Sequence, residues 1–194
     1  MKSYITSQIQ ETRRVMSSML ADDALLTRLE MAAEACIHAL KNGHKVMLAG
    51  NGGSAADAQH IAGELANRFA FDHPGLPAIA LTTDTSILTA IANDYGYEKL
   101  FARQIQTHAQ KGDVFIAYST SGKSGNVIAA MQEAKNRGVI VIAMTGNRGG
   151  PMKELCEHYL NVPSADTPNI QEGHAVLGHI LCGLVERAKF TEPT

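Results

Sequence analysis

A run of hydroxyl residues, Ser119-Thr120-Ser121-Gly122-Lys123-Ser124, is the clearest chemical signal in this chain. It follows an apolar run at 114–118 with strand character and precedes a segment at 126–131 with apolar residues at helical spacing. At such a strand-to-helix turn, free backbone N–H groups and the positive end of the helix dipole converge. One hydroxyl would be enough for an ordinary helix N-cap. Four hydroxyls in six residues therefore favour a phosphate-binding turn.

A second turn, Gly50-Asn51-Gly52-Gly53-Ser54, is rich in glycine and follows an apolar run at 45–49. Glycines let the backbone approach a ligand closely or adopt positive φ. The spacing matches neither the Walker A loop nor the dinucleotide-binding fingerprint. Alone, the turn fits a tight strand–helix connection as well as it fits a ligand site. Because both turns follow strands, and ligands of parallel sheets bind at the carboxyl ends of strands, the pair favours a ligand site.

His60 and Glu64 lie four residues apart on a predicted helix and therefore share one of its faces. They suit a metal site or an acid–base pair. The plainer alternatives are a half-buried histidine and a surface ion pair between Glu64 and Arg68. Spacing alone favours these plainer alternatives, because such pairs are common.

The last predicted helix carries Gln171 and His179, eight residues apart, or about 12 Å along the helix axis. They could bind one ion only if it lay between them, or if they came from different subunits. His174 is interpreted as polar decoration of this amphipathic helix.

The polar stretch Asn93-Asp94-Tyr95-Gly96-Tyr97 is predicted to separate two helical segments. It could be a plain turn, or it could supply acceptors for substrate hydroxyls.

These residues are positioned by alternating elements. Two helices, 3–20 and 22–42, come first. Apolar strands are then predicted at 45–49, 78–81, 113–118, 139–144 and 159–162, with helices at 54–68, 87–93, 97–110, 123–137, 151–156 and 170–189. This alternation predicts an α/β fold, a five-stranded parallel sheet covered by helices. We expect a single domain over residues 1–194, with residues 1–42 as a helical extension that packs against another subunit.

Composition narrows the class of protein. The chain has 45% apolar and 19% charged residues and a net charge of −2, so no basic face is available for nucleic acid. No apolar run approaches the roughly 20 residues of a membrane span, and the first residues do not resemble a signal peptide. Cys36, Cys156 and Cys182 are odd in number and far apart, which is typical of reduced thiols in a cytoplasmic protein.

Three motifs together resemble a known family. Gly50 to Ser54, the turn Ser119 to Asn126, and Ile170-Gln171-Glu172-x-His174 are similar, in this order, to the sugar isomerase (SIS) fold and, within it, to the sedoheptulose 7-phosphate (phosphoheptose) isomerases. The resemblance covers almost the whole chain. It implies a three-layer SIS fold and a homotetramer with active sites between subunits. It also implies conversion of D-sedoheptulose 7-phosphate to D-glycero-D-manno-heptose 7-phosphate through an enediol, the first step towards ADP- or GDP-heptose for lipopolysaccharide or capsule.

The same resemblance implies residue roles. Glu64 would be the base and His179 the partner acid or base. The substrate would be bound by Asn51, Gly52, Gly53, Ser54, Arg68, Asn93, Asp94, Ser119, Thr120, Ser121, Ser124 and Gln171, the four hydroxyl residues among them holding its phosphate. Some members bind zinc, which maps here to one ion per subunit held by His60, Glu64, Gln171 and His179. The zinc would be either catalytic or organisational.

The alternative within this fold is a catalytically silent regulator that binds a protein partner, like the DnaA-binding protein DiaA. The pattern of that regulator lacks the glutamate and the second histidine, whereas this sequence has Glu64 and His179, which favours the enzyme. One stretch departs from the isomerase pattern. Asp166-Thr167-Pro168-Asn169 stands where an Ala-Asp-Arg arrangement is expected, so the role of Asp166 stays open.

Overall fold

A computed structural model describes residues 1–190; the expected loose tail at 191–194 lies outside the described residues. Five parallel strands form one sheet in the order β2-β1-β3-β4-β5. They are β1 (Val46–Ala49), β2 (Ala78–Ala80), β3 (Val114–Ser119), β4 (Ile140–Thr145) and β5 (His158–Asn161). Every residue of β1 and β3 is buried, as expected for the apolar runs of a sheet covered on both faces.

Helices cover the two faces of the sheet. They are α1 (Lys2–Leu20), α2 (Asp23–Lys41), α3 (Gly53–Ala66), α4 (Thr85–Tyr95), α5 (Leu100–His108), α6 (Gly125–Asn136) and α7 (Thr167–Lys189), with 3₁₀ helices at Tyr97–Lys99 and Gly150–Leu155. Alternate residues of β1 face opposite sides. Val46 and Leu48 join the core under α2, α3 and α7, whereas Met47 joins the core under α5 and α6. The three-layer α/β fold and the N-terminal helix pair are therefore confirmed.

The polar stretch at 93–97 contains the predicted break between two helical segments, but the break is narrower than the stretch. Helix α4 runs through Asn93 and Asp94 to Tyr95, and the break comes at Gly96, whose φ of 83° disfavours any side chain. The helix before the break ends two residues later than predicted, because asparagine and aspartate are tolerated in the last turn of a helix that ends on glycine.

Two other helix ends differ from the predicted ones. Helix α3 ends at Ala66, so Arg68 lies beyond it. Helix α7 begins at Thr167, three residues early, because Asp166 occupies the N-cap position and Pro168 fits the first helical turn.

Helix α1 is only partly covered. Val15 and Met19 are its buried residues, whereas the larger side chains of its first half are exposed. Thr12 ties α1 to α7, since its hydroxyl donates to a carboxylate oxygen of Glu172 at 2.8 Å. Residues 1–190 of one chain therefore leave most of the apolar face of α1 uncovered. Among the described residues, no helix has the length and apolar character needed to cross a bilayer.

A buried carboxylate fixes the segment after α3. Glu186 of α7 accepts hydrogen bonds from the backbone N–H groups of Phe69 and Ala70 at 2.8 and 3.0 Å, and its Oε1 lies 3.0 Å from Nε2 of His73. Burial raises the pKa of Glu186, but these hydrogen bonds outweigh burial and hold it below its usual value. The anchored segment places the Phe69 ring against the ring of His179, with centroids 5.8 Å apart.

Candidate active site

The two loops predicted to bind a ligand meet at one crevice. Strands β1 and β3 are neighbours in the sheet, but the chain leaves β1 towards β2 on one side and continues from β3 towards β4 on the other. Loops that diverge in this way open a crevice at the carboxyl ends of the strands. Two reciprocal amide hydrogen bonds of 2.9 Å between Asn51 and Asn126 join the two loops there.

The hydroxyls of the turn after β3 bond mainly to one another. The Oγ atoms of Ser119 and Ser124 are 2.8 Å apart, and those of Ser119 and Ser121 are 3.5 Å apart. Ser124 occupies the N-cap position of α6, but its side chain makes no capping bond. The plain N-cap interpretation therefore leaves these side chains unexplained, whereas a cluster of orientable donors at a helix N-terminus suits an anion.

Close contacts explain two glycines of this crevice. A side chain at Gly53 would collide with the amide of Gln171, so the glycine lets α7 approach the start of α3. Gly122, with φ of 65°, would collide with the carbonyl oxygen of Gly149 if it carried a Cβ. Near Gly53, Ser54 is buried, and Gly52 has a positive φ of 58°.

Three side chains form a candidate metal and acid–base group. His60 Nε2 lies 3.1 Å from Glu64 Oε1 and 3.3 Å from Nε2 of His179, and all three donors lie within 4.8 Å of one another. His60 is exposed, whereas Glu64 and His179 are partly buried. Two imidazoles and a carboxylate match the ligands that zinc prefers. Glu64 thus pairs with His60, and within residues 1–190 Arg68 forms no ion pair, so the predicted Glu64–Arg68 pair is absent.

Gln171 stands apart from this group. Helices α3 and α7 run side by side in the same direction, with Gln171 against Gly53 and Gly178 against Ile61. His60 lies seven residues beyond Gly53, which is about 10 Å along the helix. The structure therefore does not support one ion bound by both Gln171 and His179 of the same chain. The two residues could share an ion only if they came from different subunits.

Asn93 and Asp94 lie on the last turn of α4, where both are exposed. The Asn93 amide donates to Asp94 Oδ1 at 2.8 Å, and neither side chain hydrogen-bonds to the two turns within residues 1–190. Their neighbour Ala92 of the same helix lines a cavity together with Asn51, so α4 borders the crevice while the two predicted substrate residues lie at its end.

Comparison with known proteins fits this geometry. The SIS domain pattern matches residues 9–146 of the chain. A phosphoheptose isomerase of Burkholderia pseudomallei (strain 1710b) is 66% identical over 188 residues, which cover 97% of this chain and 95% of the relative. The chain belongs to the phosphoheptose isomerase family. The relative from Aneurinibacillus thermoaerophilus is 56% identical over 190 residues, covering 98% of this chain and 96% of that protein.

A solved structure supports the same placement. The phosphoheptose isomerase GmhA from Neisseria gonorrhoeae superposes with a TM-score of 0.89 at 40% identity, covering 95% of this chain and 97% of that one. The fold of this phosphoheptose isomerase family member, including its N-terminal helix pair, therefore matches that of a solved relative along almost its whole length.

Sequence reasoning assigned no role to two residues of the crevice. Asn126 completes the amide pair with Asn51, and the Tyr97 hydroxyl donates to Asn51 Oδ1 at 2.9 Å. Asn126 belonged to the hydroxyl-turn motif and could have been suspected. Tyr97 lies 46 residues from Asn51 and belongs to the polar stretch 93–97, but no sequence pattern indicated its contact with Asn51.

Buried polar atoms without partners cluster behind the site of this phosphoheptose isomerase family member. Within residues 1–190, no hydrogen bond reaches Asp57 Oδ2, the Tyr118 hydroxyl or either ring nitrogen of His174. The Tyr118 and His174 rings stand edge to face with centroids 5.7 Å apart. Burial lowers the pKa of His174 to about 4, so it is neutral at neutral pH. The interpretation of His174 as surface decoration was wrong, because the side chain is fully buried.

Proposed function

We propose that this chain is an aldose–ketose isomerase that converts D-sedoheptulose 7-phosphate to D-glycero-D-manno-heptose 7-phosphate, the first step of ADP- or GDP-heptose biosynthesis for lipopolysaccharide or capsule. The observation that carries the proposal is that a chain of the phosphoheptose isomerase family combines a hydroxyl turn with a Glu64–His60–His179 group. An anion-binding turn and a carboxylate–imidazole pair are the parts that a proton transfer on a sugar phosphate requires.

The proposed roles follow the chemistry of each group. Ser119, Thr120, Ser121 and Ser124 hold the phosphate. Glu64 moves a proton between C1 and C2 of the sugar, and His179 exchanges a proton with the substrate oxygens as the enediol forms. Asn51, Gly52, Gly53, Ser54, Arg68, Asn93, Asp94 and Gln171 contact the rest of the substrate. Acid–base assistance of this kind is worth about 10²- to 10⁴-fold in rate.

Distances within one chain support an active site shared between subunits. Helix α3 starts at Gly53 beside the crevice, and Glu64 lies eleven residues further on, about 16 Å along the helix axis. A phosphate in the crevice and a reacting carbon at Glu64 of the same chain would be far apart for a seven-carbon substrate. We therefore infer that the phosphate turn and Glu64 in one active site come from different copies.

An uncovered apolar face supports a homotetramer. Tyr4, Ile5 and Ile9 of α1 are 68, 57 and 66% exposed, and Val176, Ile180 and Leu184 of α7 are about 40% exposed, beside His179. Such a face usually marks an interface. We propose one domain over residues 1–194, with residues 1–42 in the interface. Light scattering should give about four times the chain mass of 20.8 kDa, and a monomer would contradict the shared site.

The three-residue group fits zinc, one ion per subunit, with His60, Glu64 and His179 as ligands and Gln171 as a further one from another copy. When bound, zinc would polarise the substrate carbonyl as a Lewis acid or would only organise the site.

Elemental analysis of protein purified without chelator should find about one zinc per chain. His60→Ala should lose it, because one of the proposed ligands is gone, whereas His108→Ala, at the end of α5 and outside this group, should keep it. Protein that contains no zinc and gains none on addition would contradict this proposal.

The activity is tested by a coupled assay in which sedoheptulose 7-phosphate is supplied and the aldose product is consumed by a following kinase. The catalytically silent regulator, with a protein partner such as DnaA, predicts no turnover in this assay, and no feature of the described residues favours it. We further propose a cytoplasmic location, supported by three free cysteines, two of them buried. Cell fractionation tests it.

A further inference from the structure

A polar cavity lies at the ends of strands β4 and β5, outside the proposed active site. Its volume is about 380 Å³, and three basic side chains, Arg28, Arg148 and Lys153, line it together with Asn147, Asn161 and Tyr159. We call it the basic cavity. No role proposed above uses it.

The basic side chains of this cavity differ in how they are held. Arg28 is fixed, because its Nε donates to the carbonyl of Tyr159 at 2.8 Å and its Nη2 to Asn161 Oδ1 at 3.3 Å. Among the described residues, its only carboxylate neighbour within ion-pair distance is Asp22, at 4.0 Å. Within residues 1–190, Arg148 and Lys153 form no ion pair, although Lys153 Nζ stands 5.8 Å from the Tyr159 ring centroid.

This arrangement concentrates positive charge in a protein whose net charge is −2. Like charges in one concave site repel one another and raise the local potential, which attracts anions. Arginine provides several N–H donors in a planar fork that matches phosphate oxygens, and lysine adds a mobile charge. The side-chain amides of Asn147 and Asn161 supply further donors at the rim.

We propose that the basic cavity binds a phosphate-bearing small molecule at a site separate from the hydroxyl turn. The fixed Arg28 orients the anion, while Arg148 and Lys153 close on it. The phosphate group is the part that the cavity recognises, whether it comes as free inorganic phosphate or as part of a larger metabolite.

The loop beside the basic cavity contacts the hydroxyl turn. Gly122 and Gly149 lie against each other so closely that a Cβ at Gly122 would collide with the carbonyl oxygen of Gly149. The Gly146 N–H also donates to the Thr120 carbonyl at 3.1 Å. Arg148 and Asn147 line a smaller cavity of about 140 Å³ together with Thr120 and Ser121, so they face both compartments.

An anion in the basic cavity should therefore weaken phosphate binding at the turn. It draws Arg148 to one side, and its charge repels a second phosphate across a shared wall. This coupling rests on the proposed function, since it needs a sugar phosphate at the turn, whereas binding to the basic cavity does not.

Calorimetric titration with inorganic phosphate tests the binding. Wild-type protein should show two classes of site. Lys153→Met should weaken one class by about tenfold, as expected for a lost charged hydrogen bond. Ser119→Ala with Ser121→Ala should weaken the other class only. Lys135→Met is the matched control, since Lys135 is an exposed lysine at the end of α6 that does not line the cavity.

Two results would contradict the proposal that the basic cavity binds phosphate. One is Lys153→Met protein that binds phosphate as Lys135→Met protein does. The other is a single class of site that disappears with the two serines, which would mean that phosphate occupies the turn alone. The titration measures binding without turnover, so its result remains valid even if the chain shows no isomerase activity.

Inhibition kinetics test the coupling. With this coupling, an anion in the basic cavity raises the KM for the sugar phosphate in addition to direct competition by phosphate at the turn. The KM should therefore rise more steeply with phosphate concentration in wild-type protein than in Lys153→Met protein, where mainly the competition at the turn is left. The turnover number should stay constant in both, since the basic cavity lies away from Glu64. The same dependence of KM on phosphate in the two proteins would refute the coupling.

Discussion

Glu64→Gln is expected to lower turnover by about 10²-fold or more while leaving the fold and the binding of the sugar phosphate intact. The amide has nearly the same shape as the carboxylate but cannot take a proton from carbon. Glu64 is partly buried on α3, and its Oε1 lies 3.1 Å from His60 Nε2, so the replacement loses one ion-pair contact of modest strength. Stability should change far less than catalysis.

Separate measurement of kcat and KM distinguishes this role from substrate binding. A base that acts in the transition state should lower kcat and leave KM nearly unchanged. Glu133→Gln is the matched control, because Glu133 also contacts a basic side chain four residues further on, that of Arg137 at the end of α6. Near-normal turnover of folded Glu64→Gln protein would end its role as the base.

The zinc content of the same variant separates two functions of Glu64. A variant that keeps its zinc and loses turnover has lost a proton acceptor. A variant that loses zinc in proportion to turnover has lost a ligand, and adding zinc in excess should then restore part of the rate.

The sequence was sufficient to predict the layers of the fold. The apolar runs of β3 and β4 have no polar interruption, and this pattern arises only when both faces of a strand are buried. The turns after β1 and β3 were also recognised, because glycines and hydroxyls at the ends of strands are a local signal. Local patterns were less informative about His174, since residue type favours the surface and only the packing of α7 against Tyr118 buries it.

The assembly of the site could not be predicted in the same way. Which residues of α7 lie beside α3 depends on how two helices are aligned, and spacing along one helix does not reveal it. The structure aligns Gln171 with Gly53 and His179 with His60. The contact between Phe69 and His179 likewise depends on a carboxylate more than a hundred residues away in the chain.

Ser119→Ala combined with Ser121→Ala is expected to raise the KM for sedoheptulose 7-phosphate by about 10²-fold with little change in kcat, because two hydrogen bonds to an anion, each worth about 1.5–3 kcal/mol, are lost. These bonds hold the phosphate equally in the ground and transition states, so the loss appears in KM. Steady-state kinetics over a wide substrate range measures both constants.

The control for this double variant is Thr107→Ala, which removes an exposed hydroxyl of α5 that, among the described residues, donates to the carbonyl oxygen of Arg103 at 3.0 Å. An unchanged KM in the Ser119 and Ser121 variant would contradict the phosphate-binding role.

Ser124→Ala adds a sharper distinction, because the Ser124 side chain makes no capping bond. If the turn serves the ligand, this third variant should raise KM without the loss of about 1 kcal/mol in stability that follows removal of an N-cap. A loss of stability with an unchanged KM would instead make Ser124 a helix cap. Ser119 would then no longer have Ser124 as a neighbour in phosphate binding.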